Sequence, residues 1–196
     1  MSVEAVMLEI LKDTVFYEES GGGVSFSGGE PLMQPVFLEA LLEACRRQGL
    51  HTAIDTSGYA PCGTFLRLAK KADLILFDIK LIDSRKHRTY TGVDNALILE
   101  NLRVLCLEHA HVLVRLPLVP GVTDDDENIR AVLQLLGNCK GLKGVDLLPF
   151  HRIGEEKYKQ LAMQPKMVDT APLSTEAVKA IAARYRQCGL PVAIGG

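Results

Sequence analysis

Apolar and polar positions alternate along this chain with two periods, one typical of helices and one typical of strands. Apolar residues such as Val3, Val6 and Met7 recur every three or four positions, which predicts one amphipathic helix with a single buried stripe from residue 2 to about 18. Short apolar runs that suit strands then alternate with longer helical patterns. We predict strands at 24–27, 51–55, 74–79, 111–118, 145–150 and 191–194, and helices at 35–47, 63–71, 95–108, from a Thr123 cap to 136, and from a Ser174 cap to 188.

The regular succession of strand and helix predicts an α/β fold with a parallel sheet. One helix comes first and five strand–helix units follow, so a strand is missing from the front of the pattern. A polar stretch at 152–172 is long enough to be a functional loop. No linker or repeat divides the chain, and we expect a single domain over residues 1–196.

Composition narrows the possible functions. The chain has 196 residues, 47% of them hydrophobic and 23% charged, with a net charge of -2, which is typical of a globular domain. No basic cluster indicates nucleic-acid binding, and no apolar run approaches the roughly 20 residues of a membrane span. The acidic start does not resemble an export signal, so we expect a cytoplasmic protein with neither nucleic-acid nor membrane partners.

The five cysteines are widely spaced and contain no CxxC or CxxxC pair. Cys45, Cys106 and Cys188 lie within apolar helical patterns, where a cysteine behaves as a small buried hydrophobic residue. We therefore expect mostly buried thiols, and no cysteine set that could hold zinc or an iron–sulfur cluster by local ligation.

Ionisable side chains follow the predicted strands one after another, at Glu30, Asp55, Asp78 with Lys80, Arg115 and His151. Strand alternation places Asp78, Lys80 and Arg115 on the face opposite the helix-covered one. Because the carboxyl ends of parallel strands meet at one edge, these groups are predicted to surround one site. The glycine turn at Gly28 and Gly29 would let the backbone approach a ligand there.

This set of side chains suits a zwitterionic or polyhydroxylated ligand, since carboxylates accept from an amine or from hydroxyls and cations bind a carboxylate. Two interpretations that give these residues a purely structural role stay open. Pairs such as Asp78 with Lys80, or Asp55 with Arg115, could simply hold the top of the sheet together. A lone histidine such as His151 is often a hydrogen-bonded structural residue.

Motifs in a fixed order carry a resemblance over nearly the whole chain: SGGEP, IDTSGYAP, LILFDIK, HRTYTGVDN, ILENL, RLPLVPGVTD, LLPFHRIGEEKY and IGG. Together they resemble the radical S-adenosylmethionine (SAM) activating enzymes of glycyl radical enzymes, the pyruvate formate-lyase-activating group. The resemblance implies a partial (β/α)6 TIM-like barrel, here missing its first strand, with a SAM pocket at its mouth. The TSGYAP wording is closest to members with an extra ferredoxin-like cluster insert.

The resemblance also implies roles for individual residues, though no catalytic one. Gly28, Gly29 and Glu30 correspond to the turn that binds the methionyl amino group, and Lys80 to a SAM-contacting lysine. His151 corresponds to the residue that reaches the ribose, the segment 119–121 should lie near the adenine, and the role of Arg115 is left open. A monovalent cation beside the SAM carboxylate would be held by Asp55 with Thr56, and by Asp78 with the Leu76 carbonyl.

In the family, a [4Fe-4S] cluster passes an electron to SAM, and the resulting 5′-deoxyadenosyl radical takes a hydrogen from a glycine of a partner enzyme. The implied partners are a glycyl radical enzyme such as pyruvate formate-lyase and an electron donor such as flavodoxin or ferredoxin. The family's CxxxCxxC motif, however, has no counterpart among the five cysteines. We expect this chain to be a carboxyl-terminal portion, without iron–sulfur ligands and inactive alone.

Two alternatives remain. A shortened homologue could bind SAM or dock the partner enzyme without catalysis. An unrelated barrel lyase or aldolase could use Glu30, Asp78 and Lys80, although pairing with Asp78 disfavours a Schiff base on Lys80. The missing first strand would also leave the strand at 24–27 as an unpaired edge, which predicts dimerisation through it.

Overall fold

The computed structural model describes residues 1–108, 111–151 and 171–195. Six strands form one sheet in which every pairing is parallel and neighbours in the chain are neighbours in the sheet. This order is the winding of a barrel wall, and among the described residues β1 and β6 do not pair, so the wall stays open. The predicted α/β fold, a partial TIM-like barrel, is confirmed. The strands are β1 Gly23–Phe26, β2 His51–Thr56, β3 Leu74–Asp78, β4 Val112–Leu118, β5 Leu142–Pro149 and β6 Val192–Ile194.

Helices connect and cover the strands. A short 3-10 turn, Pro31–Met33, follows β1. The helices are α1 Val3–Lys12, α2 Thr14–Ser20, α3 Pro35–Arg47, α4 Cys62–Ala69, α5 Ser84–Thr91, α6 Ala96–Glu108, α7 Asp126–Leu136 and α8 Thr175–Gln187. No helix in these described parts of the chain is long and apolar enough to cross a membrane.

The core lies between the sheet and the helices. In β3, Ile75 and Phe77 are fully buried against the helices, while Leu76 and Asp78 on the opposite face are only partly buried. β4 alternates in the same way, with buried Val114 and half-buried Arg115. The predicted facing of both strands is therefore confirmed, and the polar face is the inner face of the barrel wall.

The prediction of a single helix from residue 2 to 18 is wrong, because the helix is interrupted at Asp13, between α1 and α2. The hydroxyl of Thr14 donates to the Leu11 carbonyl at 2.8 Å, which satisfies a group at the end of α1. The predicted buried stripe is also shorter than expected. Met7 is buried, whereas Val15 and Phe16 are 61% and 66% exposed.

Two further boundaries differ from the sequence prediction. The cap of α7 is Asp125, which accepts from the Asn128 amide at 2.7 Å. The predicted cap, Thr123, instead donates to the Pro117 carbonyl and accepts from the Val119 amide, closing the turn after β4. Strand β5 begins at residue 142 rather than 145.

Helix α5 escaped prediction because it is almost entirely polar. Its sequence SRKHRTYT shows no apolar stripe, and His87 is its buried residue. The side chain of Asp83 caps it by accepting from the Lys86 amide at 2.7 Å. Capping and one buried histidine therefore stabilise this helix, which has no apolar stripe.

The cysteines behave differently from the prediction of mostly buried thiols. Cys45 is a buried thiol as predicted, but Cys106 and Cys139 form a disulfide and Cys188 is exposed. The disulfide is possible because the turn before β5 lies against the end of α6, where the Gly141 amide donates to the Cys106 carbonyl at 3.3 Å. Cys188 follows the last residue of α8, beyond the packed stripe. The predicted loop 152–172 falls outside the described residues except for its last two positions.

Candidate functional site

The carboxyl ends of β1, β2 and β3 surround a cavity of about 240 Å³. Seven of the residues predicted from the sequence line it, whereas Leu76, Arg115, His151 and the segment 119–121 do not. The lining residues are Ser27, Gly28, Gly29, Glu30, Asp55, Thr56, Ser57, Asp78 and Lys80. The fold thus brings together groups from three strand ends that are far apart in the chain.

Glu30 joins the glycine turn to the end of β2. Its carboxylate accepts from the Thr56 hydroxyl at 2.5 Å, and from the hydroxyl and amide of Ser57 at 2.6 and 3.0 Å. It also accepts from the Leu32 amide at 3.2 Å, capping the short turn after it. Both carboxylate oxygens are therefore engaged inside the protein, and Glu30 acts chiefly as the anchor of the turn. Sequence reasoning missed Ser57, although its place directly after a strand was a signal.

The glycine turn presents bare backbone to the cavity. Gly28 has φ +128°, a conformation that favours glycine. A Cβ built on Gly28 or Gly29 would meet no atom of the described residues within 4 Å. These positions therefore leave open space beside the backbone, which is what close approach of a ligand requires.

A network of charges crosses the inner face beside this cavity. Arg115 Nη1 donates to Asp55 Oδ2 at 2.5 Å, and Lys80 Nζ lies 3.4 Å from Asp78 Oδ2. Arg115 Nε and Asp78 Oδ1 lie 3.8 Å apart, and each is buried without a hydrogen-bond partner among the described residues. Arg115 is therefore linked to the cavity through Asp55 and Asp78, which line it. The Arg115 Nε donor and the Asp78 Oδ1 acceptor remain without a hydrogen bond among the described residues.

Burial raises the pKa of Asp78 above its ordinary value, although Lys80 and Arg115 counteract part of this shift. Burial also raises the pKa of Asp146 on β5, which lies opposite Arg115 in the strand register. Asp146 was missed from the sequence, although alternation with its apolar β5 neighbours Val145 and Leu147 pointed to it. The inner face therefore carries the carboxyl groups of Glu30, Asp55, Asp78 and Asp146 against the two cations Lys80 and Arg115.

Two buried asparagines hold the backbone that carries Lys80. Asn95 donates to the carbonyls of Leu81 and Ile82 at 2.8 and 2.7 Å. Asn128 donates to the Lys80 carbonyl at 3.2 Å and accepts from the Ile82 amide at 2.9 Å. The connection after β3 is thus held by the residue before α6 and by α7. Sequence analysis assigned this role to neither asparagine, although Asn95 ends the motif HRTYTGVDN.

A second cavity of about 200 Å³ opens on the other side of the same residues. It shares Glu30, Ser57, Asp78 and Lys80 with the first cavity. The rest of its lining is largely apolar and comprises Met33, Tyr59, His87, Thr91, Val93 and Ile98. A polar cavity and an apolar one thus share the lysine and the aspartate.

Two predicted elements lie apart from these cavities. His151 is exposed after the end of β5 and lines neither cavity. The turn at 119–121, at the end of β4, is closed by bonds from the Val119 amide to Thr123 and from the Gly121 amide to Asp124, both 2.7 Å. Their proximity to a ligand stays a prediction.

The described residues contain no group of three or more acidic, histidine or cysteine side chains placed to hold a metal ion. Asp55, predicted to bind a monovalent cation, is instead paired with Arg115. The cation site stays a prediction.

Comparison with known proteins identifies the family. Residues 2–133 match the model of the radical SAM superfamily. The chain is 41% identical over 96% of its length to the choline trimethylamine-lyase activating enzyme of Oleidesulfovibrio alaskensis, covering 62% of that protein. It is 39% identical over its full length to the pyruvate formate-lyase 2-activating enzyme of Escherichia coli, covering 67% of it. The chain thus spans about two thirds of the length of these relatives.

A solved structure agrees with these matches. A domain of a pyruvate formate-lyase-activating enzyme from Bacteroides vulgatus superposes with a TM-score of 0.73 at 34% identity, covering 89% of this chain and 99% of that one. The chain belongs to the radical SAM superfamily and, within it, to the activating enzymes of glycyl radical enzymes. Membership implies the cofactors SAM and a [4Fe-4S] cluster for the family.

The residues of the first cavity fit the aminoacyl end of SAM. Three carboxyl groups and one lysine line this cavity, and this excess of negative charge favours a ligand with positive charge, as the amino and sulfonium groups of SAM provide. The open backbone at Gly28 and the polar side chains that line the cavity, among them Asp78 and Lys80, supply hydrogen-bonding positions. The cysteines do not fit a cluster, because two form a disulfide and the other three lie on separate elements.

Proposed function

We propose that this chain is the SAM-binding part of an activating enzyme that installs a glycyl radical on a partner of the pyruvate formate-lyase class. The observation that carries the proposal is the cavity at the ends of β1 to β3, where a Glu30-anchored glycine turn faces Asp78 and Lys80. SAM with a [4Fe-4S] cluster supplies, when bound, the one-electron chemistry and the hydrogen abstraction of the family. The chain's own residues bind and orient SAM.

The proposed roles follow from charge and position. The backbone of Gly28 and Gly29 receives the methionyl amino group, while Glu30 keeps that backbone in place. Lys80 contacts SAM beside Asp78, and Arg115, which does not line the cavity, holds Asp55 in place through their ion pair. His151 would reach the ribose and the turn at 119–121 the adenine.

The aspartates prepare the site for positive charge. Because burial penalises the ionised form of Asp78, a cationic group arriving beside it relieves that penalty and binds more strongly. A monovalent cation held by Asp55, Thr56, Asp78 and the Leu76 carbonyl would have to replace Arg115 at Asp55. The proposal includes a glycyl radical enzyme as partner, flavodoxin or ferredoxin as electron donor, and the cytoplasm as location.

Chemical-shift mapping of SAM binding by NMR tests the proposal. Without a cluster we expect weak binding of SAM. A Kd of roughly a millimolar corresponds to a binding free energy of about -4 kcal/mol. Amide shifts should concentrate at residues 27–30, 55–57 and 78–80, and Asp78→Asn should weaken binding at least about tenfold. The control Thr89→Ala, on the exposed face of α5, should not change it. Shifts confined to other surfaces, or none at saturating SAM, would show the proposal to be wrong.

A non-catalytic SAM-binding or partner-docking module is the second candidate. The dispersed cysteines favour it for the chain alone. Anaerobic reconstitution with iron and sulfide tests the premise that both candidates share, namely that this chain alone holds no cluster, because a cluster has a visible absorption band and a fixed iron content. We expect no stoichiometric cluster in this chain; a stable one would mean that the chain holds ligands of its own and can act without another segment.

A further inference from the structure

We infer that Asn101, on α6, is a positioning residue for the proposed SAM site, which it does not touch. Its side chain is completely buried. The amide group donates to the carbonyls of Gly58 and Ala60 at 2.7 and 2.8 Å. Both carbonyls belong to the connection between β2 and α4, so one side chain clamps this loop from behind. This inference rests on the proposed function.

On its other side, the clamped loop leaves no room for a side chain at Gly58. Gly58 has φ +71°, and a Cβ built on it would collide with the Phe77 ring. The loop is therefore held between the Asn101 amide and the face of β3. A shift of Gly58 in either direction would break a hydrogen bond or collide with the core.

The position of this loop is passed on to the cavity through its neighbours. The Gly58 amide donates to the Thr56 hydroxyl at 2.9 Å, and that hydroxyl donates to Glu30. Ser57, next to Gly58, holds the other oxygen of Glu30 with its amide and its hydroxyl. Asn101 thus fixes the residues that fix Glu30, and Glu30 anchors the glycine turn.

The same loop serves both cavities. Tyr59 lies between the two clamped carbonyls and lines the apolar cavity, whereas Ser57 lines both. The Oδ1 atom of Asn101 is buried without a partner among the described residues, which is a penalty that an apolar side chain would avoid. The two donated hydrogen bonds are what the amide contributes in return.

The variant Asn101→Asp tests this role, because it keeps the volume but turns a carboxylate toward two carbonyl oxygens. Thr52→Val is the matched control: Thr52 is 2% exposed, and its hydroxyl bonds to Asp73 at 3.1 Å at the opposite end of β2. Both variants lose a buried polar contact, but only the first lies behind the loop. Unfolding curves establish a temperature at which both are fully folded.

At that temperature, hydrogen exchange of the Ser57 and Gly58 amides should be at least about tenfold faster in Asn101→Asp than in wild type, and unchanged in Thr52→Val. The affinity for SAM should fall about tenfold in the first variant only. If Asn101→Asp does not fold, Asn101→Ala removes the same donors and replaces it. Equal exchange in variant and control overturns the inference. If exchange is faster in Asn101→Asp but the wild-type chain does not bind SAM, the positioning role is supported and the proposed function is refuted.

Discussion

Asp78 is a buried acid whose ionised form the fold penalises. Its pKa lies above the ordinary value of 3.8, mainly because of burial. At pH values between the ordinary pKa of the unfolded chain and the higher pKa of the folded chain, the folded chain keeps a proton that the unfolded chain has released. The free energy of unfolding therefore falls as the pH rises through this interval, and the deficit persists at pH 7. A residue suited to a cationic ligand thus weakens the fold while the ligand is absent.

We expect Asp78→Asn to stabilise the chain at pH 7, since an amide has no ionised form to desolvate. The gain should shrink as the pH is lowered and should vanish below 3.8, where the carboxyl group is protonated in both states. Urea unfolding at a series of pH values measures this difference. A variant that is less stable than wild type at pH 7 would contradict the prediction.

Asp94→Asn is the control of opposite sign. The Ala96 amide and Arg88 hold the pKa of this exposed carboxyl below its ordinary value. Its ionised form therefore stabilises the folded chain above pH 3.8 and loses that effect as the pH falls. We expect this variant to be slightly destabilised at pH 7 and indistinguishable from wild type in acid.

Gly58 shows how the connection after β2 depends on a missing side chain. Gly58→Ala would place a methyl group against the Phe77 ring in a left-handed conformation. We expect the free energy of unfolding to fall by about 2 kcal/mol or more, from strain of about 1–2 kcal/mol and overpacking of about 1–3 kcal/mol. Thermal unfolding of the purified variants measures it.

Gly63→Ala provides the comparison within the next element. Gly63 lies in α4, and a methyl group added there would have open space around it, since no described atom comes within 4 Å. Alanine should therefore stabilise the helix by up to about 1 kcal/mol. Similar effects of the two substitutions would show that the Phe77 contact does not restrict the loop.

The turn after β1 is held as an element by the Glu30 carboxylate. Glu30→Gln replaces one acceptor oxygen by an NH2 group that faces the donors of Thr56 or Ser57. We expect a loss of about 1–3 kcal/mol in the free energy of unfolding, the usual effect of leaving such groups unsatisfied. SAM binding should also weaken, because the glycine turn loses its anchor. Urea unfolding and SAM titration measure the two effects.

Glu39→Gln is the matched substitution on α3. Glu39 pairs with Arg67 and Lys71 on the outer helical surface, so its loss should cost at most about 1 kcal/mol and leave SAM binding unchanged. A loss at Glu30 no larger than at Glu39 would rule out an anchoring role for Glu30.

The sheet as a whole is open, and among the described strands β1 pairs on one side only, with β2. We predict that the chain self-associates through this edge, as unpaired strand edges commonly do. Light scattering over a concentration series should show dimers that Ser25→Lys, on the exposed face of β1, suppresses. Gln134→Lys on α7 adds the same charge elsewhere and should have no effect. A monomer at every concentration would exclude the edge contact.

Patterns within a few residues of each other were sufficient for much of this protein. Period-two alternation located β3 and β4 and oriented Asp78 and Arg115, and the strand–helix rhythm predicted the parallel sheet. These features follow from local backbone geometry, so neighbouring residues reveal them. The convergence of Glu30, Asp55 and Asp78 followed in turn from the rule that parallel strands end at one edge.

Other features depended on contacts between distant parts of the chain. The partners of Glu30 lie 26 and 27 residues away, and Arg115 meets Asp55 across 60 residues. Asn101 reaches its two carbonyls over 43 and 41 residues. Such hydrogen bonds have no period and leave no local signal, because they exist only once the strands and helices have packed. Local sequence patterns therefore determined the strands and helices, whereas tertiary packing determined which polar groups hold the site in place.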